Sequence, residues 1–133
     1  VGDVISKTIT FPLNAWSRRS EISADRAGLI CCEDIEIAAK SLLKLEAGLL
    51  NIDEIDIDTY VNESNTVLQN TMLGKFGEIT MSHPIIPKRI KALQLFSNSI
   101  VYIKALGIKS EASNSLLTEE RLSAETEKII EIM

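Results

Sequence analysis

Along most of the chain, hydrophobic residues recur at steps of three and four, and five such stretches predict five helices. Pro12 suits the first turn of a helix running to about Cys32. Its apolar stripe, Leu13, Trp16, Ser20, Ala24, Ala27 and Ile30, is read as the core face. Glu33-Asp34 places acids at the positive end of a second helix, with Ile35, Ala38, Ala39, Leu42, Leu43 and Leu45 apolar and Gly48 near its end. A third helix is predicted over residues 58–80 on Val61, Val67, Leu68, Met72, Leu73, Phe76 and Ile79. A fourth starts with Pro87 at its first position, carries Ile90, Leu93, Leu95, Phe96, Ile100, Ile103 and Leu106, and stops at Gly107. After a small-residue linker over residues 110–117, Thr118-Glu119-Glu120 caps a terminal helix with Leu122, Ile129, Ile130 and Met133 apolar. No strand alternation competes with this pattern. The fold class is all-α, arranged as a lead-in segment over 1–12, a helical core over 13–107 and a terminal helix over 118–133.

The polar positions add one candidate site. Glu21 and Asp25 stand four residues apart on one face of the first helix, where like charges repel by ~0.2–0.5 kcal/mol. Arg18, one turn earlier, and Arg26, beside Asp25, can offset that cost as a solvated network; so can a bound cation, with one carboxylate as ligand and the other orienting a neighbouring ligand. The acidic run from Asn51 to Asp58 lacks the glycine and the terminal glutamate that a calcium loop needs, so it reads as a solvated connector. Ser82-His83-Pro84 is held out of helix by its proline and places the chain's one histidine just ahead of a helix start.

Composition narrows the function classes. The 133 residues suffice for one core; 45% are hydrophobic and 25% charged, ordinary values for a globular domain. A net charge of −5 argues against nucleic acid, whose phosphates demand basic patches. No apolar run reaches the ~18 residues of a membrane span. Adjacent Cys31 and Cys32 read as reduced thiols near a helix end, one of them buried as a small hydrophobe, which fits a cytoplasmic setting. A start at Val1 fits an excised or processed piece whose missing part could carry a membrane anchor, placing it on the cytoplasmic side.

Trp16-x-Arg18-x-x-Glu21-x-x-Ala24-Asp25-Arg26-Ala27-Gly28-Leu29, followed by Ser82-His83-Pro84 and Lys88-Arg89-Ile90-Lys91-Ala92-Leu93, resembles the second zinc helix and the His-Pro segment of HtpX-type peptidases, relatives of the CAAX prenyl endopeptidases. The match covers about residues 11–96. The resemblance implies part of a zincin-like (gluzincin) peptidase domain, with Glu21 as third protein ligand to zinc. It further implies that Asp25 orients a zinc-bound imidazole, that His83 helps stabilise the oxyanion, and that Arg89 anchors the loop or a carboxylate such as Asp25. For His83 a purely structural hydrogen-bonding role is the alternative.

With a single histidine, the chain cannot contain the H-E-x-x-H helix that supplies the other two ligands and the general base in that family. The expectation is therefore a piece of a zinc endopeptidase that is inactive and zinc-free alone, because one carboxylate lacks the nitrogen ligands zinc needs. Its partners would be the missing zinc-helix portion, a peptide or protein substrate, and a second copy packed on exposed apolar surface. The alternative is a non-catalytic helical module for interaction or regulation on a peptidase-like scaffold.

Overall fold

The computed structural model describes residues 2–47, 55–70, 85–108 and 115–130. Among them are six helices: α1 (Gly2–Cys32), α2 (Ile35–Ala47), α3 (Ile57–Asn70), α4 (Ile86–Ser97), α5 (Ile100–Ala105) and α6 (Glu119–Ile130). No strand occurs among the described residues; one parallel bridge joins Ser99 to Leu117. The molecule is all-α. His83, Gly48, Met133, residues 71–84 and residues 51–54 of the acidic connector lie outside the described residues, and the connector's last two residues, Ile57 and Asp58, open α3 instead.

Each boundary has a local cause. α1 does not begin at Pro12 but runs from Gly2 through it, about 46 Å in all, so the proline removes one ladder bond without ending the helix. At its far end Glu33 takes φ 57° and its N–H donates to the Leu29 carbonyl at 2.8 Å, a left-handed cap built without glycine. Asp34 then starts α2, its Oδ1 accepting from the N–H groups of Glu36 and Ile37 at 2.9 and 3.0 Å. Asp56 does the same for α3, accepting from the Thr59 N–H at 2.7 Å. Pro87 occupies the second position of α4, after Ile85, where a missing N–H costs nothing.

The expected single helix from Pro87 to Leu106 is two. It breaks at Asn98-Ser99, where Ser99, fully buried, donates from Oγ to the Phe96 carbonyl at 2.6 Å and accepts from the Tyr102 N–H at 3.3 Å. The break frees backbone that Leu117 uses: its carbonyl accepts from Ile100 and its N–H donates to Asn98, both at 2.9 Å. A hydroxyl that satisfies both ends and a clip to a distant segment outweigh the helical periodicity here. Gly107, at φ 69°, closes α5 where the sequence places the stop.

α4 is the central element, packed against α1, α2, α3, α5 and α6. Leu29, Ala39, Leu43, Val61, Ile90, Leu93, Phe96 and Leu122 form the main core around it, with Phe96 edge-on to Tyr102 at 5.4 Å. Ile22, Ala92 and Ile130 form a smaller cluster where α1, α4 and α6 meet.

The predicted core face of α1 is turned outward except at Ile30, which is half-buried against the main core. Leu13 is 57% exposed and Trp16 68%, and Ser20, Ala24 and Ala27 are exposed too. The buried stripe is Arg18, Ile22 and Leu29, with the Asp25 carboxylate on the same side. Both faces have helical period; what decides between them is that α4 offers a cation to the acidic side. On α2, Leu45 likewise points outward at 83% exposure. Both cysteines are exposed free thiols, so neither is the buried hydrophobe expected; α1 ends with them clear of the core.

Candidate metal-ligand site

The acidic pair of α1 faces α4, and one arginine serves both members. Arg89, in the first turn of α4, donates from Nε to Asp25 Oδ2 at 2.8 Å and from Nη2 to Oδ1 at 2.6 Å. Its Nη1 lies 3.3 Å from Glu21 Oε2. The side chains of Asp25, Arg89 and Glu21 are 6%, 14% and 29% exposed. The Asp25 carboxylate is thus largely buried and held bidentate, the strongest form of this ion pair. Glu21 is the more accessible carboxylate, engaged at longer range through Oε2.

Arg18 and Arg26, read from the sequence as neutralising neighbours, do not take that part. Arg18 is buried, and its Nε finds no acceptor among the described residues. Arg26 turns to α6, donating from Nη2 to Thr126 Oγ1 at 2.8 Å and stacking over the Phe96 ring at 5.1 Å. Burial lowers its pKa. Arg19 reaches α6 as well, with a two-point contact to Glu127 at 2.9 and 3.0 Å. These ties between α1 and α6 have no signal in the spacing, because a periodic pattern carries no information about a helix a hundred residues away.

The pair therefore has its positive counterpart supplied by tertiary structure. Arg89 cancels the repulsion between Glu21 and Asp25 and fixes their rotamers. A groove of about 240 Å³ opens beside them between α1 and α2, lined by Ala24, Asp25, Gly28, Ile37, Ser41 and Leu45 among others. A larger cavity of about 470 Å³ lies between α2, α3 and α4, away from the pair, with Lys40 bonded to Glu36 and Asp58 to Gln94, each at 2.7 Å.

A metal needs more donors than this surface offers. Among the described residues, no three His, Cys, Asp or Glu side chains converge on a point that could hold an ion. His83 lies outside the described residues, so its position relative to Glu21 is not part of this geometry. The donor set of a zinc site, three protein ligands with nitrogen or sulfur among them, is not met by the described part of the chain. Glu21 supplies one carboxylate toward such a site.

Comparison with known proteins adds two findings. The family described as Peptidase family M48 matches residues 3–96. A plastoglobule-localized metallopeptidase 48, chloroplastic, from Arabidopsis thaliana is 26% identical over 108 residues, covering 76% of this chain and 31% of that protein. The chain thus spans less than a third of the length of the curated relative it matches. No solved structure matches it. Among the described residues, no helix is long and apolar enough to cross a membrane.

Proposed function

The chain belongs to peptidase family M48, and from that premise we propose that it is the C-terminal portion of an HtpX-type or CAAX-endopeptidase-like zinc enzyme that hydrolyses peptide bonds. In this reading Glu21 is its oxygen ligand to the metal. Arg89 holds that carboxylate in place, and Asp25 holds Arg89. The observation that carries the reading is the shared guanidinium, which presents Glu21 as a charged, oriented and still accessible donor on a helix.

The remaining donors, including the H-E-x-x-H helix, must come from outside residues 1–133, which hold a single histidine. The chain alone is then inactive and binds zinc weakly. Both Asp25 oxygens are committed to Arg89, yet each retains a second lone pair, so Asp25 can also accept from an imidazole. His83 is assigned to the oxyanion through the Ser-His-Pro motif alone. The substrate is a peptide or protein. The cytoplasmic setting read from the thiols finds no counterpart in the relative, whose name places that protein in the chloroplast.

The reading is tested by casein cleavage with the longer protein that carries this sequence. Glu21→Ala should reduce the rate to background with an unchanged circular dichroism spectrum. Cleavage at the parental rate would remove Glu21 from the site.

The exposed Trp16 face favours a second reading, a non-catalytic interaction module on a peptidase scaffold. Peptide mapping of the native gene product separates the two: peptides containing H-E-x-x-H support the enzyme, and a mature protein beginning near Val1 supports the module.

A further inference from the structure

Arg26 carries a charge that no carboxylate answers among the described residues. Its Nη2 donates to Thr126 Oγ1 at 2.8 Å, and the guanidinium lies 5.1 Å from the centre of the Phe96 ring. Its Nε is enclosed and finds no acceptor there. Burial lowers its pKa, with no acidic neighbour to offset that. A half-buried cation held by one neutral hydroxyl and one ring face is only partly compensated. Arg89 is the contrast, since it serves two carboxylates.

The Arg26 guanidinium lines a cavity of about 280 Å³ between α1 and α6. Rows of side chains on facing helices ordinarily interdigitate; here Ser23 and Ser123 stand where larger residues would close the gap. The lining divides by chemistry. Ile22, Leu122 and Ile130, all buried, give it an apolar wall. Beside Arg26 stand the Ser123 and Thr126 hydroxyls, whereas the Ser23 hydroxyl is committed to the Arg19 carbonyl at 3.0 Å. At the rim Arg19 and Glu127 cancel one another through contacts at 2.9 and 3.0 Å. Glu119 is exposed, and water screens it. The charge left over inside is that of Arg26.

We propose that this cavity binds a small carboxylate with an apolar tail, its oxygens on Arg26 and its tail against Ile22, Leu122 and Ile130. A planar guanidinium matches a carboxylate at two points. Nη1 and Nη2 make that contact, because Nε is enclosed. The Thr126 hydroxyl accepts from Arg26 and keeps its own hydrogen to donate to the same ligand. The apolar wall selects a carboxylate with a tail over a bare oxyanion, which would leave that wall facing water. The cavity is smaller than those that hold drug-sized molecules, so the ligand is small and binds with a Kd on the order of 1 mM. Two sources present this group: the C-terminal residue of a peptide and a free short-chain acid. Nothing at this cavity depends on zinc or on Glu21, which faces Arg89 on α4.

The test follows the thermal midpoint of the full 133-residue chain at pH 7 and constant ionic strength. The probes are 4-methylpentanoate for the free acid, N-acetyl-leucine for the peptide terminus and 4-methylpentanamide as the uncharged control. At about 20 mM at least one acid should raise the midpoint by roughly 3–5 °C, saturably, and the amide should not. A larger shift with N-acetyl-leucine assigns the site to peptide termini; an equal or smaller one assigns it to free acids. Arg26→Gln should abolish the response. So should Ser123→Phe, which fills the cavity from α6 and leaves Arg26 in place. The absence of a saturable shift with both acids overturns the proposal. An equal shift with the amide overturns it too, as does a shift that persists in either variant.

Discussion

Arg89 grips Asp25 at two points across 64 residues of chain, Nε to Oδ2 at 2.8 Å and Nη2 to Oδ1 at 2.6 Å, with both side chains largely buried. This contact locks α4 to α1 and sets the acidic face of α1 inward. Its energetics follow from its burial. Removing Arg89 strands the buried Asp25 carboxylate, at a cost of ~3–5 kcal/mol, whereas removing Asp25 leaves Arg89 its contact with Glu21 and costs less; replacing both by apolar side chains is milder than the first. Arg89→Met should lower the denaturant midpoint sharply and Asp25→Leu less, and the double variant should recover part of the Arg89→Met loss. Additive losses in this double-mutant cycle would show that the two side chains act separately.

Glu33 holds a left-handed backbone, φ 57°, between α1 and α2. A side chain with a Cβ pays about 1 kcal/mol for that conformation, and glycine does not. Glu33→Gly should therefore raise stability by ~0.5–1 kcal/mol in thermal melts, an unusual direction for a substitution to glycine. A clear loss of stability would mean that the Glu33 side chain contributes more than its backbone strain removes.

Ser99 serves two backbone groups from a fully buried position. Ser99→Ala keeps the volume and removes both bonds, so a loss of ~1–2 kcal/mol is expected in urea titrations. An unchanged midpoint would place the control of the α4–α5 break in the Leu117 bridge instead.

The fold and the site were legible to different depths, and the reason is physical. Helix content, the acids that open α2, the cap at Thr118 and the stop at Gly107 are local chemistry, so the sequence states them; that Asp34 caps α2 through its side chain is seen only in the structure. Which face of α1 is buried is not local. Leu13 and Trp16 make the outer face look like core, and only the cation on α4 explains why Asp25 lies inside. The break at Ser99 is similar: Ser97-Asn98-Ser99 hints at it, but the partner that rewards it is Leu117. The Glu21–Asp25 pair was visible as a pattern, and the resemblance pointed to Arg89 as the anchor of a carboxylate such as Asp25, which the structure shows; that the same guanidinium also reaches Glu21 came only with tertiary structure.

Acid should weaken the fold. Hydrogen bonds from Arg19 hold the Glu127 carboxyl below its ordinary 4.5. A backbone N–H and Thr118 do so for Glu120, Lys128 for Glu125, and Thr59 for Asp56 below 3.8. Folded values below the unfolded ones mean that the unfolded chain binds more protons in this window. Their contribution is complete above about pH 4.5 and fades as pH falls through the folded values. Since Arg19 and Glu127 are 53% and 41% exposed, their pair adds below ~1 kcal/mol. Melting temperatures should be flat from about pH 6 to 7 and fall below 4.5, less steeply in Glu127→Gln. A rise in stability on acidification would contradict these assignments.

The central claim is that Glu21 is the chain's metal ligand and that Asp25 and Arg89 only position it. The most direct measurement is zinc per polypeptide, by elemental analysis after dialysis, in the longer protein that contains this sequence. The account predicts near-stoichiometric zinc in the parent, loss of it in Glu21→Gln with the fold intact, and partial retention in Asp25→Asn, which stays helical but melts at a lower temperature. Full zinc in Glu21→Gln would contradict it.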